Sequence, residues 1–150
     1  MGAQKMDYPV LDPRGEEILT ADGYIFGIPT RYGTMPAQMK TFWDATGGHW
    51  AKQSFSGKPY GIIVSTSTQH GGQETTALAT IPVMTHHGMV FVPVGYSHPN
   101  ISEIEEACGG SPYGATTFTG PTGARMPSEK ELAIAEHHGA HFAKFMNRLA

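Results

Sequence analysis

The chain has 150 residues, and its 10 Lys and Arg against 13 Asp and Glu give a formal net charge of -3, which excludes the basic surface of a nucleic-acid binder. No apolar run approaches the roughly 20 residues that a transmembrane helix needs, so no membrane partner is expected. The length indicates one domain over residues 1–150, and the single cysteine, Cys108, with a start unlike a signal peptide, predicts a reducing, cytoplasmic setting.

The first element after a polar lead-in over residues 1–20 is an apolar run at residues 24–28. The run shows no polar alternation, which is typical of a strand that helices cover on both faces of a parallel sheet. A helix is predicted over residues 36–46, because Pro36 suits a helix start and the glycine pair at 47–48 suits a helix end. His49 and Trp50 are therefore expected on a loop.

Three more strands are predicted further along the chain, at residues 60–65, 89–94 and 115–119. The first of them leads into a hydroxyl- and glycine-rich loop at residues 66–74, which can present backbone N–H groups to an anion or a polar ring. The strand at 89–94 leads into another loop that contains Tyr96.

Two amphipathic helices complete the pattern. The helix after residue 74 is expected to kink or end at Pro82. The closing helix starts at Ser128, which forms a capping box with Glu131, and Gly139 within it indicates a close approach to the sheet. The predicted buried residues are Leu78, Ile81, Met84 and Thr85 in the first helix and Leu132, Ala135, Gly139, Phe142, Met146 and Leu149 in the second.

The alternation of strands and helices predicts an α/β fold with an open, doubly wound parallel sheet. Ligands bind such sheets at the carboxyl ends of the strands. The loops that begin at residues 29, 66 and 95 are therefore expected to form the functional site.

Most catalytic signatures are missing from the sequence. There is no P-loop and no Gly-x-Gly-x-x-Gly motif after a strand. The segment 109–113 fails as a nucleophile elbow because Tyr113 stands where a glycine is required. His137 and His141 are four residues apart and could share a metal, but the predicted apolar stripe leaves them on the solvated face, so no metal is expected. His87, just before the third strand, is by itself more typical of a structural hydrogen-bonding residue than of a catalytic one.

Several distinct motifs occur together between residues 20 and 149, and with them the chain resembles the WrbA family of flavodoxin-like, FMN-dependent NAD(P)H:quinone oxidoreductases. The motifs are Phe26-Gly27-Ile28-Pro29-Thr30-Arg31-Tyr32-Gly33, Gly71-Gly72-Gln73-Glu74, His86-His87-Gly88-Met89-Val90, Pro93-Val94-Gly95-Tyr96 and Gly110-Ser111-Pro112-Tyr113-Gly114-Ala115-Thr116-Thr117.

The resemblance implies FMN as cofactor, NAD(P)H as co-substrate and a quinone as acceptor, in a protein that assembles as a dimer or tetramer. It implies His87 and Tyr96 as catalytic residues, and Tyr32, Tyr96 and a neighbouring subunit's Trp50 as substrate-binding residues. The cofactor-binding residues that it implies are Pro29, Thr30, Arg31, Tyr32, Gly33, Ser65, Thr66, Ser67, Thr68, Gln69, Gly71, Gly72 and His87.

The chain departs from the family pattern at two places. Ser67 stands where the family usually has glycine, which restricts the loop around the ring. The family opens with a strand, a phosphate-binding loop, a helix and a second strand, and this sequence begins after them. Weakened FMN binding, a sheet of three to four parallel strands and an open edge at residues 24–28 are therefore expected.

The departures leave two alternatives to the enzyme. One is a truncated, non-catalytic WrbA-like paralogue with impaired FMN binding that acts as a binding or assembly protein. The other is a shortened product of an intact enzyme's gene, without a function of its own.

Overall fold

The structure is a computed structural model that describes residues 7–149, so the first six residues of the predicted lead-in lie outside the described residues. Short 3-10 turns occur at Glu16–Leu19 and Pro99–Ser102. The strands are β1 (Tyr24–Pro29), β2 (Pro59–Thr66), β3 (Val90–Phe91) and β4 (Thr116–Phe118). The helices are α1 (Ala37–Ala45), α2 (Gly47–Ala51), α3 (Gln73–His86) and α4 (Glu129–Met146).

The four strands form one parallel sheet with β2 at its centre. β1 pairs with β2 along its whole length, from Tyr24 opposite Tyr60 to Pro29 opposite Ser65. β3 and β4 both pair with the other edge of β2, β3 near its start and β4 near its end. The predicted open parallel sheet with helices is therefore confirmed.

The strand predicted at residues 89–94 is shorter than expected. Only Val90 and Phe91 pair with β2, and the chain leaves the sheet at Pro93, which has no backbone N–H to donate to a neighbouring strand. β4 then takes up the same edge of β2 further along. Two short strands, β3 and β4, therefore share this edge of β2, and the chain between them lies outside the sheet. The loop that contains Tyr96 leaves the sheet partway along β2 and not at the carboxyl end of the strands.

α1 ends at Ala45, next to the glycine pair, as expected. The glycine pair then begins α2, so the loop expected at His49 and Trp50 is wrong, and both residues lie on a helix. The expected end of the next helix at Pro82 is also wrong. α3 continues through Pro82, because Pro82 and Leu78, whose carbonyl would receive the missing hydrogen bond, are both exposed to solvent.

The buried face of α3 is more polar than the sequence predicted. Leu78 is 45% exposed, whereas Thr76 and Thr80 are fully buried beside Met84. The hydroxyl of Thr80 donates to the Thr76 carbonyl at 2.8 Å, so its burial leaves no donor unsatisfied.

The buried stripe of α4 is also displaced from the prediction. The capping box of Ser128 and Glu131 is present, but the buried positions are Glu131, Ile134, His138 and Phe142. Leu132 is 56% exposed, and a side chain added at Gly139 would meet open space, so the expected close approach at Gly139 is wrong.

His138 explains the displacement, because its ring fills the space over two glycines of the sheet. A Cβ at Gly61 would lie 3.0 Å from His138 Nε2, and a Cβ at Gly114 would lie 3.2 Å from its Cε1. His138 Nδ1 accepts a hydrogen bond from the amide of Ala115 at 3.3 Å. Burial, together with the charges of His141 and His137, lowers the pKa of His138 to about 4, so the ring is neutral in the folded protein at pH 7.

The opposite face of β2 supports the main core. Tyr60, Ile62 and Val64 are fully buried and belong to one cluster with Trp43 and Met84. Across residues 7–149, none of the helices has the length and apolar character needed to cross a bilayer.

Gly114→Ala is expected to lower the free energy of unfolding by about 3 kcal/mol, because its Cβ would lie 1.9 Å from the carbonyl oxygen of Ile62 and the backbone would have to move. Gly139→Ala is the matched control and is expected to raise stability by about 0.5–1 kcal/mol through helix propensity. Urea unfolding measures both variants, and equal effects would contradict the packing described here.

Candidate functional site

A cleft of about 520 Å³ opens at the carboxyl edge of the sheet, where β1, β2 and β4 end. Its size suits a small-molecule ligand. The residues that line it are Pro29, Thr30, Arg31, Tyr32, Ser65, Thr66, Ser67, Thr68, Gly71 and Thr119.

The loop after β1 is a rigid two-residue turn. The amide of Arg31 donates to the Thr34 carbonyl at 2.8 Å, and the amide of Thr34 donates back at 3.1 Å. Tyr32 and Gly33 between them have φ values of 53° and 80°, as a type I′ turn requires. A left-handed backbone is unusual for tyrosine, and it holds the Tyr32 side chain entirely in solvent beside the cleft.

The loops after β1 and β2 are locked together behind the cleft. The hydroxyl oxygen of Thr30 accepts hydrogen bonds from the Thr76 hydroxyl at 2.7 Å and the Gly33 amide at 3.1 Å. Gly72, with φ of 112°, packs so closely that a Cβ would lie 3.0 Å from Thr30 Oγ1 and 3.1 Å from the Cα of Gly33. Glycine is needed here for both its conformation and its size.

Thr119, which follows β4, is a lining residue that the sequence analysis missed. Its amide donates to the Thr66 carbonyl at 2.9 Å, and the next residue, Gly120, accepts from the Ser67 hydroxyl at 3.3 Å. The signal was present, because a strand was predicted at residues 115–119 and its carboxyl end must reach the same edge of the sheet.

A buried carboxylate holds the segment that carries Thr119. Glu131 accepts hydrogen bonds from the guanidinium of Arg125 at 2.9 Å, the Thr117 hydroxyl at 2.9 Å and the Gly109 amide at 2.8 Å. Arg125 also donates to the Phe118 carbonyl at 2.9 Å. Burial by itself raises the pKa of Glu131, but these bonds outweigh it and lower the pKa below the usual value of 4.5, so the carboxylate is ionised.

Most of the predicted cofactor residues meet at the cleft. Nine of them line it: Pro29, Thr30, Arg31, Tyr32, Ser65, Thr66, Ser67, Thr68 and Gly71. Gly33 forms the turn behind Tyr32, and Gln69 and Gly72 line an adjoining cavity of about 390 Å³ that also contacts Cys108.

His87 lies outside this group in its own chain, and the expected contact between His87 and the cofactor stays a prediction. It follows α3 near the start of β2, where the carbonyl of Gly88 accepts from the amide of Gly57, roughly 20 Å along the strand direction from the cleft. Its Nε2 lies 2.7 Å from Thr46 Oγ1 and its Nδ1 lies 2.8 Å from the Val83 carbonyl. With only 7% of its surface exposed, His87 has the environment of a hydrogen-bonded core residue.

Trp50 and Tyr96 also lie outside the lining of the cleft in their own chain. Trp50 is on α2, 49% exposed, and Tyr96 is in the excursion between β3 and β4, 72% exposed. Both aromatic surfaces are therefore open to another molecule.

The cleft residues fit the ring system of FMN. The exposed face of Tyr32 offers a stacking surface. The hydroxyls of Thr66 and Ser67 donate within the chain, so their oxygens can accept a hydrogen bond from a polar ring edge. Arg31 is the cation among the described residues that line the cleft, and its Nη1 donates to the Thr30 carbonyl at 2.8 Å. A phosphate at this edge would meet one guanidinium.

A family model described as NADPH-dependent FMN reductase matches residues 5–102. The chain is 51% identical over 146 residues to "Quinone-oxidoreductase QR2" of Triphysaria versicolor, covering 97% of this chain and 70% of that protein. It is 50% identical over 151 residues to "Probable NAD(P)H dehydrogenase (quinone) FQR1-like 2" of Arabidopsis thaliana, covering all of this chain and 55% of that protein.

Among solved structures, the chain resembles a flavodoxin, WrbA-like protein from Agrobacterium tumefaciens with a TM-score of 0.67 and 22% sequence identity, covering 87% of this chain and 69% of that one. The similarity confirms the predicted flavodoxin-like fold.

Glu131→Gln is expected to lower the free energy of unfolding by about 3 kcal/mol, because it leaves the charge of Arg125 without its buried partner. The matched control is Lys130→Gln at the adjacent position, whose ion pair with Glu103 is more exposed, so a much smaller loss is expected. Urea unfolding at pH 7 measures the free energy of unfolding of both variants. Similar decreases in the two variants would contradict the structural role assigned to Glu131.

Proposed function

Because the chain belongs to the NADPH-dependent FMN reductase family, we propose that it is a WrbA-like, FMN-dependent NAD(P)H:quinone oxidoreductase. Relatives that are about half identical and carry quinone oxidoreductase names support the proposed substrates. When bound, FMN supplies the chemistry by taking a hydride from NAD(P)H and delivering two electrons to a quinone.

The observation that carries this proposal is the cleft at the carboxyl edge, with Tyr32 exposed at its margin. The turn that holds Tyr32 is fixed by two main-chain hydrogen bonds and by the contact between Gly33 and Gly72. A ring that enters the cleft would therefore meet a tyrosine on a preorganised backbone, which limits the loss of backbone freedom on binding. Arg31 would place a positive charge near the phosphate or the polar edge of the ring.

The remaining predicted residues have different roles in this proposal. We assign His87 to the core, since both ring nitrogens have partners within the chain. Trp50 and Tyr96 would reach the cleft of a neighbouring subunit, and their exposure supports that role. The catalytic machinery would then be complete only in an oligomer.

Tyr32→Ala is expected to weaken FMN binding by about tenfold, which is the loss of one aromatic stacking contact. Titration with FMN, followed by flavin fluorescence, measures this directly. Tyr8→Ala is the matched control, because Tyr8 is 68% exposed outside the cleft, and it is expected to leave the affinity unchanged. A wild-type protein that does not bind added FMN would overturn the proposed oxidoreductase function.

A second candidate function, assembly with another copy of this chain, is favoured by the free edge of β1. Within residues 7–149, β1 pairs with β2 alone. The amide of Thr30 points towards β2, so by alternation those of Ile25 and Gly27 point to the free edge. β1 carries no charged side chain, and a two-fold antiparallel pairing about Gly27 would oppose no like charges.

Ile25→Lys is expected to abolish self-association through this edge, because charged lysines on a strand edge oppose pairing. Ile25 is 40% exposed, and the matched control is Leu78→Lys on α3, where the exposure is 45%. Sedimentation at micromolar concentration measures the oligomer. A wild-type monomer, or an Ile25→Lys dimer as tight as the wild type, would rule out the β1 interface.

A further inference from the structure

Three histidine rings lie side by side on the surface of α4, away from the cleft. The ring centres of His137 and His141 are 6.1 Å apart, and the ring of His98 lies 5.2 Å from that of His137 on its other side. All three residues are partly buried. The solvated face expected for His137 and His141 is therefore wrong, because the buried stripe of α4 runs through His138 and leaves the two rings at its border.

The hydrogen bonds of Ser97 fix the tautomer of His137. Ser97 Oγ lies 2.7 Å from the Val94 carbonyl and 2.7 Å from His137 Nε2. A hydroxyl has one proton, and the carbonyl can only accept, so Ser97 donates to Val94 and accepts from the Nε2–H of His137. The lone pair of neutral His137 is then on Nδ1.

This arrangement is that of a histidine prepared to bind a metal. Metal-ligating histidines usually donate their second ring N–H to a fixed acceptor, which sets the tautomer and orients the ring. Two imidazoles four residues apart on a helix lie on one face. A metal at about 2.0–2.1 Å from one nitrogen of each ring, in tetrahedral coordination, holds the ring centres about 5 Å apart. The two rings, whose centres are 6.1 Å apart, would therefore approach each other by about 1 Å when a metal binds.

We propose that His137 and His141 form a binding site for a divalent first-row transition ion such as Zn²⁺. Imidazole nitrogens suit Zn²⁺, Ni²⁺ and Cu²⁺. In the part of the chain that the structure describes, no three His, Cys, Asp or Glu side chains already surround one point, so the site has two protein ligands and water completes the coordination.

His98 packs against the side of this site and does not act as a third ligand. Its Nδ1 accepts from the amide of Asn100 at 3.3 Å, so neutral His98 carries its proton on Nε2. Coordination through Nε2 would require the other tautomer and the loss of the bond to Asn100. The ring remains packed against His137 and limits its rotation.

Isothermal titration of the protein, free of any polyhistidine tag, with ZnCl₂ tests the proposal. One ion per chain is expected, with binding weakened more than about tenfold in both His137→Ala and His141→Ala. The matched control is His86→Ala, at an exposed histidine in the last turn of α3, which is expected to bind as the wild type does.

A second variant separates orientation from folding. Ser97→Ala removes the acceptor of His137 Nε2–H together with the hydrogen bond to the Val94 carbonyl, and we expect weaker Zn²⁺ binding with little change in the thermal midpoint of the metal-free protein, because Ser97 is exposed. Absence of binding by the wild type, or wild-type affinity in the variant that lacks both His137 and His141, would overturn the site. Neither outcome bears on FMN binding.

Discussion

The parallel register between β1 and β2 is the constraint on which the rest of the molecule depends. Pro29 lies opposite Ser65, so the two strands end at the same level and release their loops side by side. The contact between Gly33 and Gly72 is possible only because those loops start together. A shift of one residue would turn the inward side chains of β2 outward and separate the loops.

Polar residues inside the protein are arranged to serve this framework. Thr76 is completely buried, yet it ties α3 to the loop after β1 through Thr30. Glu131 is buried and joins α4 to β4 through Thr117 and to the segment after β4 through Arg125. Thr76 and Glu131 have partners that offset their loss of water, so these interactions specify the relative position of elements that an apolar contact would leave free to slide.

The segment between β3 and β4 holds Tyr96 away from the cleft, although the sequence predicted that the loop from residue 95 would join the loops from residues 29 and 66. β3 and β4 pair with the same edge of β2, and only β4 extends to the carboxyl end of the sheet. Thr119, which follows β4, therefore lines the cleft, and Tyr96, which follows β3, does not. Ser97 instead contacts His137 in the middle of α4. The segment between β3 and β4 therefore contributes to the setting of the histidine group, while the residue after β4 contributes to the wall of the cleft.

The sequence by itself determined the α/β class, the parallel strands and the loops that line most of the cleft. The apolar run at residues 60–65 becomes a strand that is buried on both faces, whereas Ile25 and Gly27 of β1 are exposed, so the expected burial of residues 24–28 on both faces is wrong. The loops after parallel strands still have to share one edge of the sheet. The capping box of Ser128 could also be predicted from the sequence, because it depends only on two residues that are three positions apart. These features needed no knowledge of distant contacts.

Only the tertiary structure decided which face of each helix is buried and where His87 lies. The periodicity of α4 predicted that Leu132 would be buried and did not predict the burial of Glu131. The hydrogen bonds that stabilise buried Glu131 come from Arg125 and Thr117, which the sequence pattern does not connect to it. His87 was expected at the cleft from the family resemblance alone, and its position in this chain follows from packing at the opposite end of β2. Burial of a polar side chain depends on partners far along the chain, and local pattern cannot report them.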